Sequence, residues 1–148
     1  MPRSQSVQRI EKPADVVFDF LADGANNARW QPLVIETRRD GGSLGVGTRF
    51  TQQVRHPLGF RVSSDYTLTR YDRPKTLSFE VTSGGPVRPT GTFDLTAIEE
   101  GTTDVRYTIE YRTHGLMSLL APFIAVAGLL FRWQTSSLGR LKQAIEAS

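Results

Sequence analysis

The chain of 148 residues carries 18 lysines and arginines against 15 aspartates and glutamates, a net charge of +3, and its length suits one domain that buries roughly 70% of its unfolded surface. It holds no cysteine, which excludes a disulfide framework, thiol catalysis and thiolate metal sites and fits a reducing, cytoplasmic setting. Acidic residues are interspersed with the nearest thing to a basic cluster, Arg38, Arg39, Arg70, Arg73 and Lys75, so there is no basic stripe with stacking aromatics and no nucleic-acid partner is expected.

No apolar run follows the charges at the N-terminus, so no secretory signal is expected there. Ser4 to Ile10 reads as a first strand, with Val7 and Ile10 among polar neighbours. Pro13 suits the start of a helix, where a missing N–H costs nothing. Val16, Val17, Phe18, Phe20 and Leu21 give that helix an apolar face, Gly24 ends it, and Ala25 to Trp30 makes a second short turn of helix before Pro32.

The period then changes to two. Val34 to Arg39 is a strand, followed by a loop at Asp40-Gly41-Gly42-Ser43 whose glycines permit positive φ. Arg49 to Arg55 is the next strand, and His56-Pro57-Leu58-Gly59 a turn. From Phe60 to Tyr71, Phe60, Val62, Tyr66 and Leu68 face one way and Arg61, Ser63, Asp65 and Thr67 the other. Asp72-Arg73-Pro74 turns the chain, and Leu77, Phe79 and Val81 form the inner face of a further strand, broken at Gly84-Gly85-Pro86. Val87 to Ile98 carries Phe93, Leu95 and Ala97 on one face. After the turn at Glu99 to Thr102, Val105, Tyr107, Ile109 and Tyr111 alternate with polar residues. These are half-buried antiparallel strands of a meander.

Helical spacing returns after His114-Gly115. Phe123, Ala127, Leu130, Gln134, Leu138, Leu141 and Ile145 step by three or four and share a face. The nearly apolar stretch Leu116 to Phe131 is shorter than the ~20 residues of a membrane span, and Pro122 and Gly128 interrupt it. It reads first as a core helix, with a homodimer or lid surface and a transient membrane contact as the alternatives. One strand, two short helices, about six more strands and one long helix make an α+β domain covering residues 1–148, with helices against one face of the sheet.

That order, with the residues that fill it, resembles the START-like (SRPBCC, helix-grip) superfamily, and within it the polyketide cyclase/dehydrase and lipid transport family. The resemblance rests on Val7-Gln8-Arg9-Ile10, on Lys12 to Asp23 with its Pro13 helix start and Val17-Phe18 pair, on Ala28-Arg29-Trp30-Gln31-Pro32, and on the turn Gly45-Val46-Gly47-Thr48-Arg49-Phe50. It covers essentially the whole chain, and its motifs are structural, so they speak to fold more than to function. It implies a curved antiparallel sheet of about seven strands wrapped around a long C-terminal helix, enclosing an apolar cavity. Members bind lipids, sterols, polyketides and other apolar molecules, and a minority catalyse cyclisation or dehydration. A physical argument points the same way: a bent sheet and a straight helix cannot pack flush along their whole length, so large side chains or a ligand must fill the gap.

Inward strand positions supply Phe50, Tyr66, Phe79, Phe93, Tyr107 and Tyr111 to line that gap; the helix offers Phe123, Ala127 and Leu130, and Trp30 closes one end. Gln52 and Ser64 share the phase of these apolar residues. Polar groups in an apolar wall either orient a ligand or satisfy one another. His56 and His114 sit beside Pro or Gly at strand ends, and no His-x-His, His-x-x-x-His or His-Glu pair forms a metal motif. Asp65, Glu80, Asp94 and Glu110 fall out of phase with the inward residues, which argues against carboxylate acid–base catalysis. The reading is therefore binding or transport of a small apolar or amphipathic ligand, without metal or cofactor. A cyclase or dehydratase using Tyr66, Tyr107 or His114 as acid or base is the alternative. A structural domain with a filled core is a third.

Overall fold

The structure is a computed structural model that describes residues 3–56, 58–82, 88–112 and 138–147. Its elements in chain order are β1 (Arg3–Ile10), α1 (Ala14–Ala22), a 3-10 helix (Gly24–Arg29), β2 (Val34–Arg39), β3 (Arg49–Arg55), β4 (Arg61–Ser63), β5 (Tyr66–Asp72), β6 (Thr76–Val81), β7 (Arg88–Glu99), β8 (Thr102–Arg112) and α2 (Leu138–Glu146). The strands form one curved antiparallel half-barrel in the order β1-β8-β7-β6-β5-β3-β2, and β4 pairs with β3 off this path. The expected α+β class and curved antiparallel sheet hold.

The expected strand from Phe60 to Tyr71 is two strands. β4 and β5 lie along the same edge of β3 in one register, Gln53 opposite Ser63 and Phe50 opposite Tyr66. Between them the Asp65 carboxylate takes the Gln52 N–H at 3.2 Å, where a strand would offer a backbone carbonyl. Phe60, expected inside, is 53% exposed and stacks on His56 with ring centroids 4.3 Å apart. A second irregularity matters more to the site. β2 carries a bulge between Val34 and Glu36. The extra residue shifts the alternation, so Val34 and Thr37 are both buried and Glu36 stays outside.

α1 begins as expected after Pro13, whose carbonyl takes the Val17 N–H at 3.1 Å. It buries Val17, Phe18, Leu21 and Ala22. Val16 is exposed, and Phe20 lies half-buried beneath the Arg29 guanidinium, 5.1 Å from its ring centroid. The helix ends at Ala22, two residues before Gly24, and Asp23 opens the 3-10 helix by accepting the Ala25 N–H. A bidentate ion pair, Arg73 to Asp19 at 2.8 Å, clips α1 to the β5–β6 turn. Val7 of β1 is exposed while Ile10 is fully buried.

In α2, Leu138, Leu141 and Ile145 share the buried face, as their spacing predicts. Lys142 pairs with Glu146, whose carboxylate also accepts the Glu11 N–H at 2.9 Å and so ties the helix to the segment after β1. Nine residues of the expected long helix are described here. Phe123, Ala127 and Leu130, with the rest of Leu116 to Phe131, lie outside the described residues, as does His114. No helix among the described residues is long and apolar enough to cross a membrane. The core gathers on the concave face, where Ile10, Phe18, Trp30, Phe50, Leu77, Val105 and Tyr107 join the α2 face.

Candidate functional site

Period-two alternation on adjacent strands sets a row of rings across the concave face. Phe50 of β3 stacks on Tyr66 of β5 at 4.9 Å between centroids. Tyr66 meets Phe79 of β6 at 5.3 Å, Phe79 meets Phe93 of β7 at 6.3 Å, and Phe93 stacks on Tyr107 of β8 at 4.2 Å. Trp30, after the 3-10 helix, stands edge-on to both Phe93 and Tyr107 at 6.1 Å. Two glycines make room for this row. A Cβ on Gly91 would fall 2.3 Å from the Phe79 ring, and one on Gly24 2.3 Å from the Tyr66 hydroxyl.

Beside the rings lies a recess of about 60 Å3 lined by Leu21, Asn27, Gln31, Gln52, Ser64, Tyr66, Leu68, Leu77, Phe79, Val81, Pro89, Phe93, Tyr107 and Ile109. That space takes a few waters or the polar end of a ligand. It is far below the roughly 300–1,000 Å3 of a drug-sized site.

One wall of the recess is a buried polar cluster. Gln52 Oε1 accepts hydrogen bonds from Thr37 Oγ1 at 2.8 Å and Asn27 Nδ2 at 3.0 Å. The same Asn27 amide donates to the Tyr66 hydroxyl at 2.9 Å. Thr37 faces Gln52 directly across β2 and β3, which the bulge in β2 makes possible. With its oxygen used twice, Gln52 turns its Nε2 elsewhere, and no partner for it occurs among the described residues. Burial pushes the phenols of Tyr66 and Tyr107 above their ordinary range, with the nearby Asp23 charge adding to the rise at Tyr66. Both phenols therefore stay protonated at neutral pH and act as donors. The Tyr107 hydroxyl, on a side chain only 1% exposed, has no hydrogen-bond partner among the described residues. The buried Trp30 Nε1 has none either.

Six of the residues expected at the site, Gln52, Ser64, Tyr66, Phe79, Phe93 and Tyr107, line the recess together. Phe50 and Trp30 are buried behind it as ring neighbours rather than as lining. Tyr111 lies in β8 opposite Pro89. His56 keeps a turn role, its Nδ1 accepting the Leu58 N–H at 3.1 Å. Of the carboxylates expected outside, Glu80 is exposed, while Asp65 and Asp94 are half-buried and engaged by the Gln52 N–H and the Thr76 hydroxyl. Asn27 and Thr37 were missed. A 3-10 helix of six residues is too short to display a face periodicity, and a bulge breaks the alternation that would mark Thr37. Among the described residues no three His, Cys, Asp or Glu side chains gather to hold a metal.

The profile of the family described as polyketide cyclase / dehydrase and lipid transport matches residues 1–146. The chain belongs to that family. Members of the polyketide cyclase / dehydrase and lipid transport family bind small hydrophobic ligands. No curated protein matches the chain in a sequence comparison. Solved structures show the same fold at low identity. The protein TTHA0849 from Thermus thermophilus is 19% identical with a TM-score of 0.75, over 99% of this chain and 98% of its own. The Zhui aromatase/cyclase from Streptomyces sp. R1128 is 15% identical with a TM-score of 0.72, over 96% and 92%. Ara h 8.0201 is 11% identical with a TM-score of 0.69, over 99% and 98%.

Proposed function

We propose that the chain binds or carries a small apolar or amphipathic molecule, lipid or polyketide-like, with the polar end of the ligand in the recess beside Gln52, Tyr66 and Tyr107. The observation that carries this reading is a buried polar cluster set into an aromatic wall, whose Gln52 Nε2 and Tyr66 hydroxyl hydrogens find no acceptor among the described residues. A filled structural core would be expected to pair those donors within itself. The body of such a ligand needs more room than the recess holds. It would extend from the recess along the concave face of the sheet. Affinity would come from apolar burial, at about 25 cal/mol per Å2 removed from water, and orientation from the polar cluster.

The cyclase alternative needs a base as well as an acid. The described lining offers donors and neither a carboxylate nor a histidine, and this favours binding. Native mass spectrometry of freshly purified protein, followed by thermal denaturation with fatty acids, sterols and aromatic polyketides, tests the proposal. A co-purified apolar molecule, or a dose-dependent rise in Tm with one class, is the expected result. No adduct and no shift with any class would refute it.

A further inference from the structure

The donor and charge inventory of the recess goes further than the presence of a ligand. Gln52 Oε1 is saturated by Thr37 and Asn27, which leaves the Nε2 hydrogens unclaimed among the described residues. Tyr66 accepts from Asn27, and no acceptor among the described residues takes its own hydrogen. Tyr107, 1% exposed, contributes another hydroxyl without a described partner. Hydrogens on one or two of these groups could be left idle by accident. Several converging on one recess call for an acceptor that the described residues do not supply.

The charge around them is equally informative. No Lys, Arg or His is among the described lining residues, and the one formal charge felt at Tyr66 among the described residues is the negative one of Asp23. A carboxylate or phosphate placed here would lose its water without gaining a cation, at a cost of several kcal/mol. A neutral carbonyl loses little on leaving water and can accept two of the hydrogens.

We infer that the recess recognises an uncharged hydrogen-bond acceptor, a ketone or ester carbonyl on an apolar body, and discriminates against free carboxylates such as fatty acids. This rests on the proposed binding function and narrows its ligand to neutral carbonyl compounds. The protonated state of both tyrosines at neutral pH supports it, since a phenolate would repel the same carbonyl.

Three probes of one size test it by equilibrium dialysis against the full chain at pH 7: 2-acetylnaphthalene, its acceptor-free analogue 2-isopropylnaphthalene, and 2-naphthoate. The ketone is expected to bind about tenfold tighter than the hydrocarbon, the gain of one or two buried hydrogen bonds. The carboxylate is expected to bind more weakly than both. Tyr107→Phe combined with Gln52→Leu is expected to abolish the roughly tenfold ratio of ketone to hydrocarbon affinity. Should the double variant not fold, Tyr107→Phe alone is expected to remove part of the difference. Equal binding of ketone and hydrocarbon overturns the inference and leaves the binding function standing. Carboxylate binding at or above the ketone overturns the discrimination. Binding of none of the three overturns this inference, while the proposed function still stands or falls on the mass spectrometry and the denaturation series with fatty acids, sterols and polyketides.

Discussion

Replacing Gly91 by alanine tests the ring row at its tightest point. Gly91 sits opposite Phe79 across β6 and β7, and a Cβ there would lie 2.3 Å from two ring carbons of Phe79. Carbon atoms rest at about 3.5–4.0 Å, so the ring must retreat by about 1 Å or more. It cannot retreat freely, because Tyr66 and Phe93 stand 5.3 and 6.3 Å from it on either side. Overpacking of this kind costs about 1–3 kcal/mol, while losing a strand glycine returns about 0.5–1 kcal/mol. The net expectation is a loss of about 1–2 kcal/mol, or about 2–8 °C in Tm for a domain of this size. Paired thermal and urea unfolding of wild type, Gly91→Ala, Phe79→Ala and the double variant reads the coupling. In the Phe79→Ala background the alanine at position 91 is expected to be neutral or stabilising. An equal cost in both backgrounds would refute the packing argument.

Gln52→Leu takes the acceptor from Thr37 and one of two acceptors from Asn27, both buried, and is expected to lower stability by about 1–3 kcal/mol in urea unfolding. Tyr107→Phe removes a hydroxyl without a described partner and keeps the 4.2 Å stack on Phe93, so stability is expected to change by less than about 0.5 kcal/mol; a larger loss would show that the hydroxyl is engaged. Asp19 and Asp104 are held below the usual carboxylate range by hydrogen bonds from Arg73 and Arg9, and Glu146 by Lys142 and then the Glu11 N–H. Their pKa values are lower folded than unfolded, so their contribution is present at pH 7 and lost as pH falls below about 4. Tm measured from pH 7 to pH 3 is expected to fall, and 1 M salt to flatten part of that fall because the pairs are exposed.

Strands buried on one side were legible in the sequence because burial writes a period of two. Val34–Arg39 and Arg49–Arg55 have the same ends in the structure as in the sequence reading, and Leu138, Leu141 and Ile145 mark their helix face by the same logic at a longer period. The β4–β5 break was not legible: at it the Asp65 side chain takes the Gln52 N–H, a contact that the alternation of apolar residues does not mark. Val7 and Val16 are apolar yet exposed, since valine on a pleated or helical surface needs no core behind it. Within the candidate site, Gln52, Ser64 and the tyrosines could be read from phase. Their hydrogen-bond partners could not, because Thr37 reaches Gln52 through a bulge and Asn27 arrives from a short 3-10 helix. The room that Gly91 leaves for Phe79 likewise belongs to the pairing of two strands, and neither strand shows it alone.

Side-chain amide NMR of the 15N-labelled chain tests the seat of the ligand most directly. On titration with 2-acetylnaphthalene, the Nε2 resonances of Gln52 are expected to shift in a saturable way, together with the indole N–H of Trp30, whose ring stands edge-on to Tyr107. Exposed amides such as that of Gln5 should stay in place. Saturable binding that leaves the Gln52 and Trp30 signals unmoved would contradict the account, since the ligand would then sit elsewhere on the molecule.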